Sequence, residues 1–278
     1  MPEGPEIRRA ADEVEKALKN RTIMEVKFAF EHLKGYESLL EGAEVLRVDT
    51  KGKAMLIRFS NDFTIYSHNQ LYGKWYIRNV YNYPKTNRQL RLAIHNEKKS
   101  ALLYSASDIE VLRNEEVPHH PFISKVGPDL LSEEVTVQEL KERFSSKRFY
   151  RKKWSSLLLD QSFVAGIGNY LRSEIMYVAG IHPDLRPVDC TEEMITKAAE
   201  ATITLVERSY VHKGITNDIE LAKKLKESGE KRRQYRHWVF NREGAPCRID
   251  GTEIKKVIAG SRRLYYCPTC QSKSHAHL

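Results

Sequence analysis

The chain begins MPEGPEIRRAADEVEKALK over residues 1–19, and the first six residues organise the interpretation of the rest. Aminopeptidases generally remove an initiator Met before a small residue, which would leave Pro2 with a free secondary amine. A terminal α-amine titrates near a pKa of about 8, against about 10.4 for lysine, so it is the better nucleophile at neutral pH. Glu3 and Glu6 follow at a predicted helix start, which favours carboxylates and supplies acid–base groups. The simpler alternative is structural: Pro5 begins the helix and the glutamates answer its dipole.

The composition indicates a polyanionic partner. The 278 residues carry a net charge of +9, and 41% of them are hydrophobic, which suffices for the cores of about two domains. A soluble protein that happens to be basic is the alternative. No apolar run approaches a membrane span and the N-terminus does not resemble a signal peptide, so we expect a cytoplasmic, nucleoid-associated protein.

Hydrophobic periodicity predicts one helix followed by an all-β region. Apolar residues recur at helical spacing over residues 5–19, at Ile7, Ala11, Val14 and Leu18. Short alternating segments separated by polar or Gly-containing breaks then continue to residue 112. They include VLRVDT, KAMLIRFS, FTIYSHN, GKWYIRNV, LRLAIHN and ALLYSAS. Closely spaced strands of this kind predict an antiparallel sandwich or barrel.

A linker and a helical region follow. Residues 113–133 contain three prolines and no sustained period, which is typical of an interdomain linker. TVQELKERF begins with a capping box from Thr136 to Glu139. WSSLLLDQSF, NYLRSEIMYVAG and TEEMITKAAEATITLVERSYV are further predicted helices. AGIGNY places Asn169 at a helix cap, where exposed amides suit a phosphate; an ordinary helix–helix turn is the simpler alternative.

Residues 213–238 are highly charged. The KRRQYRHW end interleaves Arg, Tyr and Trp, as nucleic-acid surfaces do, although most charged runs are solvated faces. We expect part of this segment to be a mobile loop.

Cysteines cluster near the C-terminus, whereas Cys190 stands alone. The clustered residues are Cys247, Cys267 and Cys270. Their spacing is that of a zinc ribbon in which Asp250 occupies one ligand position. We predict one structural Zn²⁺ with Asp250 as fourth ligand, or else His275 or His277 from the tail. A metal-free β-hairpin is the alternative.

Motifs in a fixed order resemble the formamidopyrimidine-DNA glycosylase/endonuclease VIII family. They are MPEGPEIRRA, KGKAML, YSHNQLYGKW, LLYSASDIE, HPFISKVGPDLL, LLLDQSFVAGIGNYLRSEI and CPTCQ. The resemblance covers nearly the whole chain and is weakest over residues 181–240. YSHNQLYG and LYSASDIE are similar to the endonuclease VIII branch. The departures are Asp250, where the family usually has cysteine, and Lys125, where the branch often has arginine.

The resemblance implies an α+β multidomain fold. It divides the chain into an N-terminal catalytic helix and antiparallel β-sandwich, a linker, a helix–two-turn–helix DNA-binding domain, and a zinc-ribbon-like β-hairpin with its tail. The corresponding ranges are residues 1–112, 113–133, 134–238 and 239–278. DNA is expected in the cleft between the domains.

The resemblance also implies a base-excision repair enzyme with glycosylase and AP lyase activity. It is expected to act as a monomer on double-stranded DNA containing damaged bases or abasic sites, and to rotate the damaged base out of the stack. The leading hypothesis is removal of oxidised pyrimidines followed by β- and δ-elimination. The alternatives are an oxidised-purine glycosylase and a catalytically silent damage-binding protein.

Five residues resemble the family's catalytic groups. Pro2 resembles the nucleophile that forms a Schiff base with the sugar C1′, which requires Met1 to be removed. Glu3 resembles the acid–base residue, and Glu6 a supporting carboxylate. Lys53 resembles the lysine that assists catalysis, and an exposed turn lysine is its structural alternative. Arg262 resembles the zinc-finger arginine that grips the phosphates flanking the lesion.

Further residues resemble DNA contacts. Gln70, Leu71 and Tyr72 resemble the wedge that fills the gap left by the flipped nucleotide. A core position is the structural alternative for Leu71. Asn169 resembles the phosphate contact of the helix–two-turn–helix domain, and Lys125 is expected to make a point-charge phosphate contact.

Overall fold

The structure, a computed structural model, describes residues 2–275. The chain forms two compact units, Met1–Val126 and Gly127–Leu278. None of the helices within residues 2–275 is long and apolar enough to cross a membrane.

The first unit is a helix packed on two antiparallel sheets. Its elements are α1 (Gly4–Leu18), β1 (Glu25–Phe28), α2 (Glu37–Leu40), β2 (Val45–Lys51), β3 (Ala54–Phe59), β4 (Phe63–His68), β5 (Lys74–Asn79), β6 (Leu90–His95), β7 (Lys99–Tyr104) and β8 (Asp108–Arg113). One sheet has the strand order β1-β6-β7-β5 and the other β2-β3-β4-β8, with antiparallel pairing throughout. The predicted N-terminal helix and antiparallel sandwich are confirmed.

The stripe predicted on α1 forms part of this unit's core. Ile7, Ala11, Val14 and Leu18 are all buried, and the last three share one apolar cluster with side chains of both sheets. Pro5 lies in the first turn, where its missing N–H leaves no helical hydrogen bond unmade. The helix is therefore fixed to the sheets along its whole length.

The second unit is mainly helical. Its elements are α3 (Val137–Ser145), α4 (Trp154–Leu157), α5 (Asn169–Val178), α6 (Glu192–Val211), α7 (Ile219–Glu227), α8 (Arg232–Tyr235), β9 (Lys255–Ala259) and β10 (Arg262–Tyr266). The last two strands form the C-terminal antiparallel hairpin. Thr136 accepts a hydrogen bond from the Glu139 N–H at 3.2 Å, so the predicted capping box is confirmed.

Two local predictions are corrected here. WSSLLLDQSF is helical only through α4, because the Asp160 side chain accepts bonds from the Ser162 N–H and hydroxyl and closes a turn that competes with the helix. Gly168 is the N-cap of α5, and Asn169 is its first helical residue. The charged segment 213–238 contains α7 and α8, with Asp218 capping α7, and residues 213–218 and 228–231 lie outside these helices, where the predicted loop can be accommodated.

Candidate active site and nucleic-acid interface

The start of α1 holds the two glutamates in different ways. Glu3 is buried, with 2% of its surface exposed, and its N–H donates to Glu6 Oε2 at 3.1 Å. Arg9 Nη2 donates to the other oxygen, Glu6 Oε1, at 3.0 Å. Both carboxylate oxygens of Glu6 therefore serve the helix start, which suits a positioning role better than proton transfer. Pro2, half-buried, precedes this arrangement directly.

Helix α1 packs against β2, the strand that leads into the turn between β2 and β3. The chain after α1 is bridged to the start of β2 through Lys19 and Val45, and α1 packs along β2. The 15 residues of α1 span about 22 Å. The seven residues of β2 span about 23 Å. The two elements are therefore of similar length.

That turn is a two-residue hairpin that carries Lys53. Lys51 pairs with Ala54, and Gly52 has φ +61°, a left-handed conformation that glycine adopts without strain. Lys53 is buried, with only 7% of its surface exposed. The alternative of an exposed turn lysine is therefore wrong.

Two further polar residues lie beside this turn and were missed as site residues in the sequence. His68 pairs with Ala54 on one side and with Asp108 on the other. Burial lowers the pKa of His68; the charge of Asp108 opposes that shift and the charge of Lys53 adds to it. Burial also raises the pKa of Asp108. The motifs YSHN and SASD contain both residues, but only the strand register brings them together.

The predicted wedge residues stand on a tight loop after β4. Gln70 has φ +50°, and its N–H donates to His68 Nδ1 at 3.0 Å. A Cβ on Gly73 would come within 2.5 Å of the Asn69 carbonyl oxygen, so only glycine closes this loop. The loop is thus fixed by its own backbone.

The side chains of the predicted wedge point outward from this fixed loop. Leu71 is 52% exposed and Tyr72 is 65% exposed, so the alternative of a core Leu71 is wrong. Ser107 Oγ donates to Gln70 Oε1 at 2.6 Å, and Arg88 donates to the Tyr72 carbonyl. Lys125 lies elsewhere in this unit, exposed at the end of the short 3₁₀ helix Ile123–Lys125.

In the second unit, Asn169 and β10 are joined through a buried arginine. Arg172 is fully buried and donates from Nη2 to Asn169 Oδ1 at 3.0 Å and to the Arg263 carbonyl at 2.9 Å. The Tyr265 N–H also donates to Ser173 Oγ at 3.3 Å. These bonds hold β10 against α5 and bring exposed Arg262 near Asn169.

A buried carboxylate anchors the chain that enters the C-terminal hairpin. Glu174 accepts hydrogen bonds from the N–H groups of Trp238, Val239 and Phe240 at 2.7 to 2.9 Å and from Thr216 Oγ1 at 2.6 Å. No local sequence signal marks either Arg172 or Glu174 as an anchor, because their hydrogen-bond partners include residues 42 to 91 positions away in the chain.

The predicted metal ligands converge in the hairpin. The ligand atoms lie within 4.8 Å of one another and belong to Cys247, Asp250, Cys267 and Cys270. The 3.8 Å between the sulfurs of Cys247 and Cys270 matches the roughly 3.8 Å expected in a tetrahedron with Zn–S bonds of about 2.3 Å. A hydrogen bond from the Thr252 N–H lowers the pKa of Asp250, which keeps it a carboxylate. This donor set can hold a metal; the side chains of His275 and His277 lie outside the described part.

Sequence comparisons agree with this arrangement. The family described as "Formamidopyrimidine-DNA glycosylase N-terminal domain" matches residues 1–107, and "Formamidopyrimidine-DNA glycosylase H2TH domain" matches residues 126–220. Endonuclease 8 of Shigella sonnei is 44% identical over 271 residues, which cover 98% of this chain and 100% of the relative. Endonuclease 8 of Escherichia coli O9:H4 has the same identity and coverage. The chain belongs to the formamidopyrimidine-DNA glycosylase family.

Solved structures show the same fold. MutM in complex with DNA containing carbocyclic 8-oxo-G has a TM-score of 0.81 at 21% identity, covering 98% of this chain and 100% of that one. Lactococcus lactis Fpg in complex with abasic-site DNA has a TM-score of 0.81 at 22% identity, covering 97% and 99%. The predicted family, fold class and enzyme class are confirmed: this glycosylase is a base-excision repair enzyme with AP lyase activity, and DNA is its substrate.

Proposed function

We propose that this glycosylase removes oxidised pyrimidines from duplex DNA and then cleaves the strand by β- and δ-elimination. The observation that carries the proposal is the placement of Pro2 and buried Glu3 at the start of α1, in the same unit that carries buried Lys53. The Gln70-Leu71-Tyr72 triplet and the 44% identity to Endonuclease 8 support pyrimidines over the oxidised-purine alternative.

The first step is nucleophilic displacement at the sugar. The lone pair of the Pro2 nitrogen forms a bond to C1′, and the damaged base leaves with the electron pair of the glycosidic bond. Glu3 assists opening of the sugar ring by proton transfer, and ring opening yields an iminium ion between Pro2 and C1′. Glu6 holds the Glu3 backbone in place, and the ammonium group of Lys53 stabilises negative charge on the leaving base or the neighbouring phosphate.

The iminium then draws electrons from the sugar. Loss of a proton from C2′ expels the 3′-phosphate, and a second elimination expels the 5′-phosphate. Hydrolysis returns the free amine of Pro2 and releases the sugar remnant. These steps require only acid–base groups and an electron sink, which the N-terminal amine provides when Met1 has been removed.

DNA contacts hold the lesion at this site. We assign phosphate contacts to Asn169, Arg262 and Lys125, and the place of the extruded nucleotide to Gln70, Leu71 and Tyr72. Asn169 is half-buried and the other five residues are exposed. The hydrogen bonds from Arg172 to Asn169 and from the Gln70 N–H to His68 hold two of the six in place, which supports this assignment. We propose the ranges predicted from the sequence, 1–112, 113–133, 134–238 and 239–278, as the functional domains and the linker between them. We also propose that the enzyme is a monomer that acts at the nucleoid in the cytoplasm.

We propose Zn²⁺ as the structural ion of the hairpin, held by Cys247, Asp250, Cys267 and Cys270. Bound zinc would cross-link the hairpin that carries Arg262 and take no part in the chemistry. Elemental analysis of freshly purified protein should give one zinc per chain. Protein that contains no zinc yet binds DNA normally would leave the metal-free hairpin as the better account.

Borohydride trapping tests the reaction and the substrate class together. Duplexes that contain an oxidised pyrimidine or an oxidised purine are incubated with the enzyme and borohydride, which reduces the iminium to a permanent link. We expect trapping on the pyrimidine duplex and much less on the purine duplex. The reverse preference would support the oxidised-purine alternative, and no trapping on either would support the silent damage-binding protein.

One added residue before Pro2 is the matched control. It converts the amine to an amide and should abolish trapping, while DNA binding persists. N-terminal mass analysis establishes that Met1 is absent from the protein used. Trapping that survives the added residue would show that an internal lysine is the nucleophile.

A further inference from the structure

We infer that Arg172 is a positioning residue that aligns the two phosphate contacts of the second unit, Asn169 on α5 and Arg262 on β10. The inference rests on the proposed phosphate roles of those two residues. Arg172 itself is fully buried, so it cannot reach a phosphate and must act through its neighbours.

The guanidinium of Arg172 joins three segments. Nη1 donates to the Ser155 carbonyl of α4 at 2.8 Å, and Nη2 donates to Asn169 Oδ1 and to the Arg263 carbonyl. Because the guanidinium is planar and its donors form a fixed fork, it sets the angles among these acceptors as well as their distances.

The bond to Asn169 decides which way the side-chain amide faces. A guanidinium is a donor only, so the atom that meets Arg172 must be the amide oxygen. The NH₂ group of Asn169 then faces away from Arg172, as a phosphate donor requires. Without Arg172 the amide is free to flip and to sample other rotamers, which adds an ordering cost to every binding event.

The bond to the Arg263 carbonyl acts on the neighbouring contact. Arg262 immediately precedes Arg263 in β10, and the Tyr265 N–H is bonded to Ser173 on α5 two residues further along. The backbone of β10 is therefore attached to α5 directly C-terminal to Arg262. One buried side chain thereby sets the separation of two proposed phosphate donors.

A double-mutant cycle on binding tests this inference. The dissociation constant for a duplex with a stable abasic-site analogue is measured for wild type, Asn169→Ala, Arg172→Lys and the double variant. Lysine keeps the charge but loses the fork. We expect Arg172→Lys to weaken binding roughly 10-fold in wild type, since it breaks charge-assisted hydrogen bonds, but less than about 3-fold beside Asn169→Ala. Single-turnover cleavage at saturating enzyme should fall by a smaller factor than the dissociation constant rises, because saturation offsets a loss of binding.

Arg143→Lys is the matched control. The Arg143 side chain also donates hydrogen bonds to two backbone carbonyls of the same unit, those of Ser162 and Phe163. It has no hydrogen bond to Asn169 or β10 among the described residues. Arg143→Lys should change the unfolding temperature by a similar amount to Arg172→Lys. Its dissociation constant for DNA should stay within about 2-fold of wild type. An equal loss of binding in both variants would mean that Arg172 acts through general stability, and the inference would be overturned.

The outcomes separate the inference from the proposed function. If Asn169→Ala weakens binding and the effects of the two changes multiply, Arg172 does not act through Asn169 and only the inference is lost. If Asn169→Ala leaves binding unchanged, the proposed phosphate contact is wrong and the inference is lost with it.

A measurement on the unsubstituted protein covers the possibility that Arg172→Lys does not fold. In ¹⁵N spectra of the wild-type complex with abasic DNA, the guanidinium protons of Arg172 should remain protected from exchange while the Asn169 NH₂ resonances shift. Rapid exchange at Arg172 in the complex would overturn the inference as well.

Discussion

In residues 2–126 the proposed catalytic groups are positioned by interactions with residues close in sequence. In residues 127–275 the proposed phosphate contacts are positioned by hydrogen bonds to residues far away in the sequence. Glu3 lies at a helix start beside Pro5, and Lys53 lies in a turn that Gly52 permits. Asn169 and β10 instead meet through Arg172, whose partner Arg263 is 91 residues away. Substitutions in the first region should therefore change chemistry, and substitutions of the buried anchors in the second should change stability and geometry.

Glu3 and Glu6 give the largest expected difference within one region. Glu3→Gln keeps the size of the side chain and removes proton transfer, so base release from an intact lesion should fall roughly 10²- to 10⁴-fold. Glu6→Gln keeps an oxygen for one of its two partners, Arg9 and the Glu3 N–H, and should cost less than about 10-fold. Single-turnover base release measures both.

Cleavage at a preformed abasic site is the control for this pair. The base is already gone there, so the loss in Glu3→Gln should shrink markedly. Equal losses in Glu3→Gln and Glu6→Gln would show that the two glutamates share the proton-transfer role and that the structural distinction between them is wrong.

Glu174 should give the largest stability effect in the second unit. Glu174→Ala removes the buried acceptor of three backbone N–H groups and of the Thr216 hydroxyl, which should lower the free energy of unfolding by about 3–5 kcal/mol. Urea unfolding measures the change. Glu200→Ala, at an exposed position on α6, is the control and should stay within about 0.5 kcal/mol of wild type. A Glu174→Ala variant of near wild-type stability would contradict the anchor role.

The same contrast explains what could be predicted from the sequence. The α1 stripe, the alternation along each strand and the capping box at Thr136 depend on neighbours within a few residues, and the helix, the strands and the cap are confirmed. The metal cluster was also predictable, because ligand spacing in two short segments fixes it. The roles proposed for the wedge residues and for Lys53 come only from family resemblance, because neither the exposure of Leu71 and Tyr72 nor the burial of Lys53 has a local signature in the sequence.

The failures occur where a side chain competes with the local pattern. WSSLLLDQSF has helical hydrophobicity, but Asp160 bonds to Ser162 and ends the helix. Asn169 has the chemistry of an N-cap, but its oxygen is taken by Arg172 and Gly168 caps instead. The pairing of His68 with Asp108 was not predicted, because the strand register that places them side by side cannot be derived from either segment alone.

Acid should weaken the second unit through His237. This histidine is almost fully buried, and burial, with the charges of Arg236 and Arg232, holds its pKa well below the usual value. Thr216 gives its proton to Glu174, so its oxygen accepts from His237 Nδ1–H at 2.7 Å. The unfolded chain takes up a proton near a pKa of about 6.5 and the folded chain does not, so stability falls as the pH drops below that value.

Titration of His237 alone can change the free energy of unfolding by at most about 1.4 kcal/mol per pH unit. Asn at position 237 can donate to Thr216 but cannot titrate, so His237→Asn should flatten the dependence between pH 6.5 and 5. Burial raises the pKa of Glu174, which acts in the opposite direction, and only the difference between wild type and His237→Asn isolates the histidine. Unfolding midpoints across this range measure it, and parallel curves for the two proteins would contradict the assignment.

The smallest expected effect lies in the wedge loop of the first unit. Ser107 Oγ holds Gln70 Oε1 at an exposed position, where a hydrogen bond contributes roughly 0.5–1.5 kcal/mol. We expect the bond to keep the Gln70 side chain extended for insertion, so Ser107→Ala should slow base release from a duplex lesion roughly 2- to 10-fold. Ser107→Thr keeps the hydroxyl and should restore the rate, and Ser38→Ala, at an exposed position on α2, should not change it. The loss should shrink when the lesion lies in single-stranded DNA, because no partner base must be replaced there. A faster Ser107→Ala enzyme would mean that the hydrogen bond from Ser107 restrains Gln70 in the free protein and must break before Gln70 inserts into the DNA. The bond would then oppose insertion, although the backbone of the loop would still be fixed.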